Sequence, residues 1–210
     1  AADFISRHVS GNKAPAGALH NLHPAVSSRV IRTLAGRELS SRHVSDILAL
    51  CESPSPSCRL DIPGMTVYRE YDDIFFGGFV TGTFEKIVLS DVGCAVISPL
   101  NLEISLSETI FDNNIHKTFT DYLFKTTEVY GKISIRPRIP GDKLRPAGCS
   151  FTKTVKKLMM EKHIPAGKRD LVPVIADDRG VLAVHNVSVG DRAMPSPGDR
   201  VYKITFKERV

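Results

Sequence analysis

The sequence predicts an α+β protein: a small helical domain, followed by short antiparallel strands and a C-terminal mixed α+β domain. Three observations carry that class. Apolar residues recur at helical spacing between Leu22 and Cys51, and from Leu60 to about Tyr122 they fall in short runs broken by Gly, Asp and Pro. Beyond Val129 both textures occur together. A chain of 210 residues, 42% hydrophobic and 24% charged, has the composition of one or two cored domains rather than a disordered segment.

The elements follow in order. Phe4-Ile5 reads as part of an element already under way, and the first residue is Ala, so a piece of a longer chain is expected. Pro24 suits a first helical position, Val26, Val30, Ile31 and Leu34 recur on one side, and Gly36 suits the close. Ser40 caps a second helix, with Val44, Ile47, Leu48 and Cys51 at i, i+3, i+4 and i+7. Ser53-Pro54-Ser55-Pro56 breaks the pattern.

Strands are then expected at Met65–Arg69, Ile74–Phe76, Ile87–Leu89, Cys94–Ile97 and Leu102–Leu106, with Gly77-Gly78, Thr81-Gly82, Gly93 and Pro99 between them. Lys132–Arg138 alternates with Ile133 and Ile135 on one face, and Pro140-Gly141 supplies a turn. Phe151–Lys162 reads as a helix with Phe151, Val155, Leu158 and Met159 facing the core and Lys153, Lys156 and Lys157 opposite. Val172–Ile175, Val181–Val184 and Val201–Phe206 complete the strands. The expected division is residues 1–59, helical; 60–125, β-rich and connecting; and 126–210, C-terminal α+β.

Charge is unevenly placed. Arg136 to Asp170 carries ten Lys or Arg residues against Asp142, Glu161 and Asp170, a local +7 in a chain of formal charge +5. A surface built for solubility intersperses the signs, whereas a surface that meets phosphates gains from releasing their condensed counterions. The stretch therefore predicts polyanion binding by Arg136, Arg138, Lys143, Lys153, Lys156, Lys157 and Arg169. Gly141, Gly148 and Gly167 allow close backbone approach. With Phe151 assigned to the core, exposed aromatics are nearly lacking, which favours backbone and shape recognition of a folded RNA helix over base stacking. Arg29, Arg32, Arg37 and Arg42 form a second and smaller basic patch, in which Arg29 and Arg32, at i and i+3 on the first helix, are the expected tRNA contacts. The alternative reading is a protein-interaction module whose basic face docks an acidic partner or a sister domain.

Other chemistry is thinly supported. The cysteines, Cys51, Cys58, Cys94 and Cys149, show no C-x-x-C pair and read as incidental thiols of a reducing compartment. His20, His23, His43, His116, His163 and His185 lack metal-ligand spacing, so no metal site is expected and surface or capping roles are assigned. Asp72-Asp73 and Asp177-Asp178 read as turn residues. No G-x-x-x-x-G-K-[ST] loop and no serine elbow occurs, so no catalytic residue is assigned. No run approaches the roughly 18 apolar residues that span a bilayer, and a cytoplasmic location is expected.

At the basic stretch the chain resembles a known family. "IRPRIPGDKLRPAG…TKTVKKLMMEKHIPAGKRDLVPVIADDRGVLAVHNVSVGDRA" looks like the C-terminal domain of tRNA(Ile)-lysidine synthetases. The matching positions are Arg136, Arg138, Pro140-Gly141-Asp142-Lys143, Pro146, Gly148, Lys153, Lys156-Lys157, Pro165, Arg169 and Pro173. The segment "LHPAVSSRVIRTL…LSSRHVSDILALCES…LDIPGMTVYREYDDIFF" resembles the family's middle, helical substrate-recognition domain. The resemblance implies tRNA as partner and an ATP-dependent ligation of lysine to an anticodon cytidine. That step belongs to an N-terminal ATP-pyrophosphatase domain marked by S-G-G-x-D-S, a motif not found here. ATP and Mg are therefore implied for that domain, no cofactor is assigned to this chain, and the chain is expected to be inactive alone.

Overall fold

A computed structural model describes residues 1–78, 82–89, 93–112 and 120–209. His116 and Thr81 lie outside them. The chain divides into two compact units, Ala1–Val80 with Pro165–Gly167, and Thr81–Ile164 with Lys168–Val210. The breaks expected near residues 59 and 125 give way to this one division, because strand pairing overrides local texture. The early strands join the helical segment, and the later ones join the C-terminal region.

The first unit holds α1 (Ala2–His8), β1 (Lys13–Pro15), α2 (Ala16–His20), α3 (Pro24–Ala35), α4 (Ser41–Glu52), β2 (Ser57–Ile62), β3 (Met65–Glu70) and β4 (Asp73–Phe76). Its antiparallel sheet runs β1-β4-β3-β2. Both long helices end as their sequences dictate. Gly36 closes α3 in the left-handed region at φ 61°, and the Ser40 hydroxyl accepts from the His43 N–H at 3.2 Å to cap α4. Val30, Ile31, Val44, Ile47, Val67 and Ile74 form its core. Cys51 is buried there, and burial pushes its thiol up to about 11, against the opposing pull of the Arg69 guanidinium. That thiol is inert at neutral pH.

The second unit is a sandwich with a helix on its outer face. Its strands are β5 (Ile87–Leu89), β6 (Gly93–Ile97), β7 (Leu102–Ile110), β8 (Asp121–Lys125), β9 (Ile133–Arg136), β10 (Lys143–Leu144), β11 (Lys153–Thr154), β12 (Val174–Asp177), β13 (Gly180–Val184), β14 (Ser188–Val189) and β15 (Arg200–Glu208). They form a five-stranded sheet, β14-β13-β12-β9-β5, a four-stranded sheet, β6-β7-β15-β8, and the small pair β10-β11. All registers are antiparallel. The architecture is α+β, as the sequence predicts.

Ile133, Ile135, Ile175 and Leu182 of the five-stranded sheet pack with Ile104, Leu106, Phe124, Ile204 and Phe206 of the other sheet. The opposite face of the five-stranded sheet meets α5 (Val155–Glu161) through Val174, Val181, Val184, Leu158 and Met159. Strict alternation would put Val181 and Val184 on opposite faces. A register shift between Ile175 and Ala176 opposite them adds the residue that brings both to the helix side.

An aromatic cluster closes one part of the sandwich core. The His185 ring lies 4.2 Å from that of Phe206 and 5.8 Å from that of Tyr122, centroid to centroid. The Tyr122 hydroxyl accepts from the Asn186 N–H at 2.9 Å and lies 3.1 Å from His185 Nδ1. Burial lowers the His185 pKa to about 4, so the ring is neutral at physiological pH. Instead of the surface or capping role expected from spacing, His185 packs as an aromatic.

Candidate nucleic-acid interface

The basic stretch separates into cations that hold the fold together and cations that face solvent. Arg136 forms a two-pronged pair with Asp142, Nη1 to Oδ2 at 2.8 Å and Nη2 to Oδ1 at 2.9 Å, and its side chain is 15% exposed. Asp142 Oδ2 also accepts the Ile139 N–H, and its own N–H reaches the Ile139 carbonyl, closing the turn through Pro140-Gly141 with Gly141 at φ 93°. Arg138 pairs with Asp170 at 2.9 Å. Arg169 is buried, and its Nε donates to the Ile164 carbonyl at 2.9 Å. These three arginines brace the loops around α5.

Lys153 departs from the expected helix. Thr154 caps α5, its hydroxyl accepting the Lys157 N–H at 3.2 Å, so the helix begins at Val155 rather than at Phe151. Lys153 lies in β11 opposite Leu144, and its Nζ reaches back to both Glu161 carboxylate oxygens at 2.7 and 3.0 Å. Phe151 is therefore not a core residue; it is 55% exposed. Lys143, Lys156 and Lys157 are exposed and carry no ion pair among the described residues. In the other unit Arg29 is exposed, whereas Arg32 donates to the Leu39 carbonyl and to Ser28 Oγ, tying α3 to the turn before α4.

Lys143 stands on the rim of a groove of about 520 Å³ with Arg145, Arg179 and Arg192, and Thr152 and Asp191 also line it. The wall is a backbone bridge: Gly190 donates to Leu182 at 2.8 Å, Asp191 to Arg145 at 3.0 Å, and Ala147 to Val189 at 2.9 Å. Arg145 pairs with Asp191. Arg192 is held by the fully buried Asp177 side chain, with Nη2 to Oδ1 at 2.7 Å and Nη1 to Oδ2 at 2.9 Å.

Asp177 also accepts the N–H groups of Tyr130, Arg179 and Gly180 at 2.9–3.0 Å. Burial alone would raise its pKa. The Arg192 guanidinium and the backbone donors outweigh that and hold the carboxyl below the usual range. The turn role read for Asp177 thus extends to anchoring a groove arginine. Arg179 lies over Tyr130, its Cζ 3.4 Å from the ring centroid, and the Arg192 Cζ is 5.7 Å from the same ring. The groove thus presents oriented guanidiniums whose conformational freedom is already spent.

Arg179 and Arg192 are absent from the sequence-derived site. They lie beyond the charged stretch, at a β-turn and a loop, and only the fold of β12 and β13 returns them to Lys143. The "ADDRG" turn was the available signal: an Asp at a tight turn followed by an exposed Arg.

Residues 133–205 match the family described as the TilS substrate C-terminal domain. Over that stretch, about a third of its length, the chain is similar to a TilS-type C-terminal domain. Curated relatives agree with the match. The tRNA(Ile)-lysidine synthase of Clostridioides difficile is 28% identical over 89% of this chain and 43% of its own length. That of Dehalococcoides mccartyi is 23% identical over 90% of this chain and 43% of its own. That of Bacillus cereus is 27% identical over 68% of this chain and 30% of its own. The chain spans less than half the length of these relatives. A solved TilS C-terminal domain aligns over 60% of this chain and 99% of that one, with TM-score 0.54 and 18% identity, a likeness of fold.

Proposed function

We propose that this chain is the RNA-gripping, C-terminal portion of a tRNA(Ile)-lysidine synthase-type ligase, and that its second unit holds the phosphate backbone of tRNA. The observation that carries the reading is the convergence of Lys143, Arg145, Arg179 and Arg192 on one groove. Oriented guanidiniums fork onto phosphate oxygens, and the ion pairs that fix them lower the entropy lost on binding. Lys156 and Lys157, exposed on α5, extend the positive field of the same unit. Arg136, Arg138 and Arg169 contribute by bracing the loops. Arg29 in the first unit is available for a further backbone contact, and Arg32 positions its helix.

In this reading ATP and Mg serve the ligation step in an N-terminal ATP-pyrophosphatase domain. No residue of this chain is assigned to that chemistry. The test is binding of unmodified tRNA, followed by fluorescence anisotropy across a salt series with poly-glutamate as competitor. A log–log slope of about −3 to −4, from roughly four or five neutralised phosphates, is expected. Equal displacement by poly-glutamate and by tRNA would favour an acidic protein partner instead.

A further inference from the structure

We propose that Phe151 is a stacking platform for an unpaired nucleotide base of the bound RNA, seated at the edge of the cationic groove. This rests on the RNA-binding reading above and adds to it a single-stranded element that the sequence argued against. A lone exposed hydrophobe is ordinary on a protein surface. Phe151 differs from that case in three respects.

First, the ring is held rather than loose. Lys153 Nζ lies 5.2 Å from its centroid and is fixed by both oxygens of Glu161. The ammonium lies over the ring, and the residue as a whole is 55% exposed. Second, the position is tied to the groove. Thr152, the next residue, lines it, and Lys153-Thr154 is hydrogen-bonded as β11 to Lys143-Leu144 as β10. Third, the surroundings select a polyanion: Lys143, Lys156 and Lys157 are exposed on the flanking elements without ion pairs among the described residues. A partner with both a planar apolar face and phosphates satisfies the ring and the cations together. An unpaired nucleotide has both.

The experiment compares two RNA hairpins with the same duplex, each closed by a non-nucleotide linker so that no loop base is unpaired, one blunt and one with a four-nucleotide single-stranded 3′ tail. Each is titrated against the unaltered protein, F151A and F151W. Stacking is sequence-tolerant and contributes about 1–3 kcal/mol per base, so F151A should weaken binding of the tailed hairpin by at least about fivefold. Binding of the blunt hairpin should stay within about twofold. The chain has no tryptophan, so F151W supplies a single indole whose fluorescence should fall on adding the tailed hairpin and not the blunt one.

Equal affinity of F151A and the unaltered protein for the tailed hairpin overturns the proposal while the phosphate-binding reading stands. Equal losses for both hairpins also overturn it, since Phe151 would then serve the duplex contact or the fold. Failure of the unaltered protein to bind either hairpin removes the RNA reading itself, and the proposal with it.

Discussion

Asp177 holds the Arg192 guanidinium through both carboxylate oxygens, at 2.7 and 2.9 Å, from a side chain with no solvent exposure. The pair joins the end of β12 to the groove, so one ion pair both braces the fold and orients a groove arginine. Asp177→Ala should cost about 3 kcal/mol, because it strands a charged guanidinium and several backbone donors. It should also weaken RNA binding by freeing Arg192. Urea unfolding and anisotropy measure the two effects separately. Because the folded pKa of Asp177 is depressed, its contribution is full above about pH 4, the unfolded value, and is lost as pH falls through the folded value.

His185 adds a second pH dependence of the same sign in a higher window. Its folded pKa of about 4 lies below the unfolded value of about 6.5, so the unfolded chain takes up a proton first. Stability should fall as pH drops from about 6.5 to 4, by up to about 3 kcal/mol. A His185→Phe variant, which keeps a ring against Phe206, should show a flatter profile across that window. An unchanged profile in the variant would place the titration elsewhere.

Neutralising cations should sort them by role. Lys143→Ala with Arg179→Ala should flatten the salt slope by about 1.5–2 units, and Lys156→Ala with Lys157→Ala by a similar amount. Both pairs should leave the melting temperature nearly unchanged. Arg136→Ala should instead lower stability by about 2 kcal/mol, since Asp142 loses a two-pronged charged partner. A slope change from Arg136→Ala without loss of stability would return that residue to the binding surface.

The contrast between those variants marks where the sequence was legible. Helix limits at Pro24, Gly36 and Ser40 are local chemistry and could be read directly. The alternation of Ile133 and Ile135 was likewise visible. The excess of charge was visible too, but its division was not, because Asp142 and Asp170 neutralise Arg136 and Arg138 through turns that only the fold closes. The helical phase of Phe151–Lys162 misled for a simple reason. Thr154 is a better N-cap than its neighbours, and the β10-β11 pairing claims Lys153 before the helix begins. That one shift of start moves Phe151 from core to surface.

Gly190 shows a constraint that composition hides. A Cβ there would lie 2.8 Å from the Leu182 carbonyl oxygen and 2.6 Å from Leu144 Cδ1. Gly190→Ala should therefore destabilise the second unit by about 1–3 kcal/mol and distort the groove wall. Thermal melting and tRNA affinity should decline together. A variant as stable as the parent would mean that this wall yields easily.

The register shift at Ile175/Ala176 has a consequence for how this unit can be cut. By turning extra side chains toward α5 while Ile175 and Leu182 keep facing the second sheet, it makes β12 and β13 greasy on both sides. Such strands need both coverings at once. The stretch that matches the family, residues 133–205, contains α5 but omits β5, β6, β7 and β8. Expressed alone it would bare much of the side formed by Ile133, Ile135, Ile175 and Leu182, an invitation to sticky edge-to-face clumping rather than a free-standing module. The matched stretch is thus smaller than the two-sheet sandwich that buries its strands.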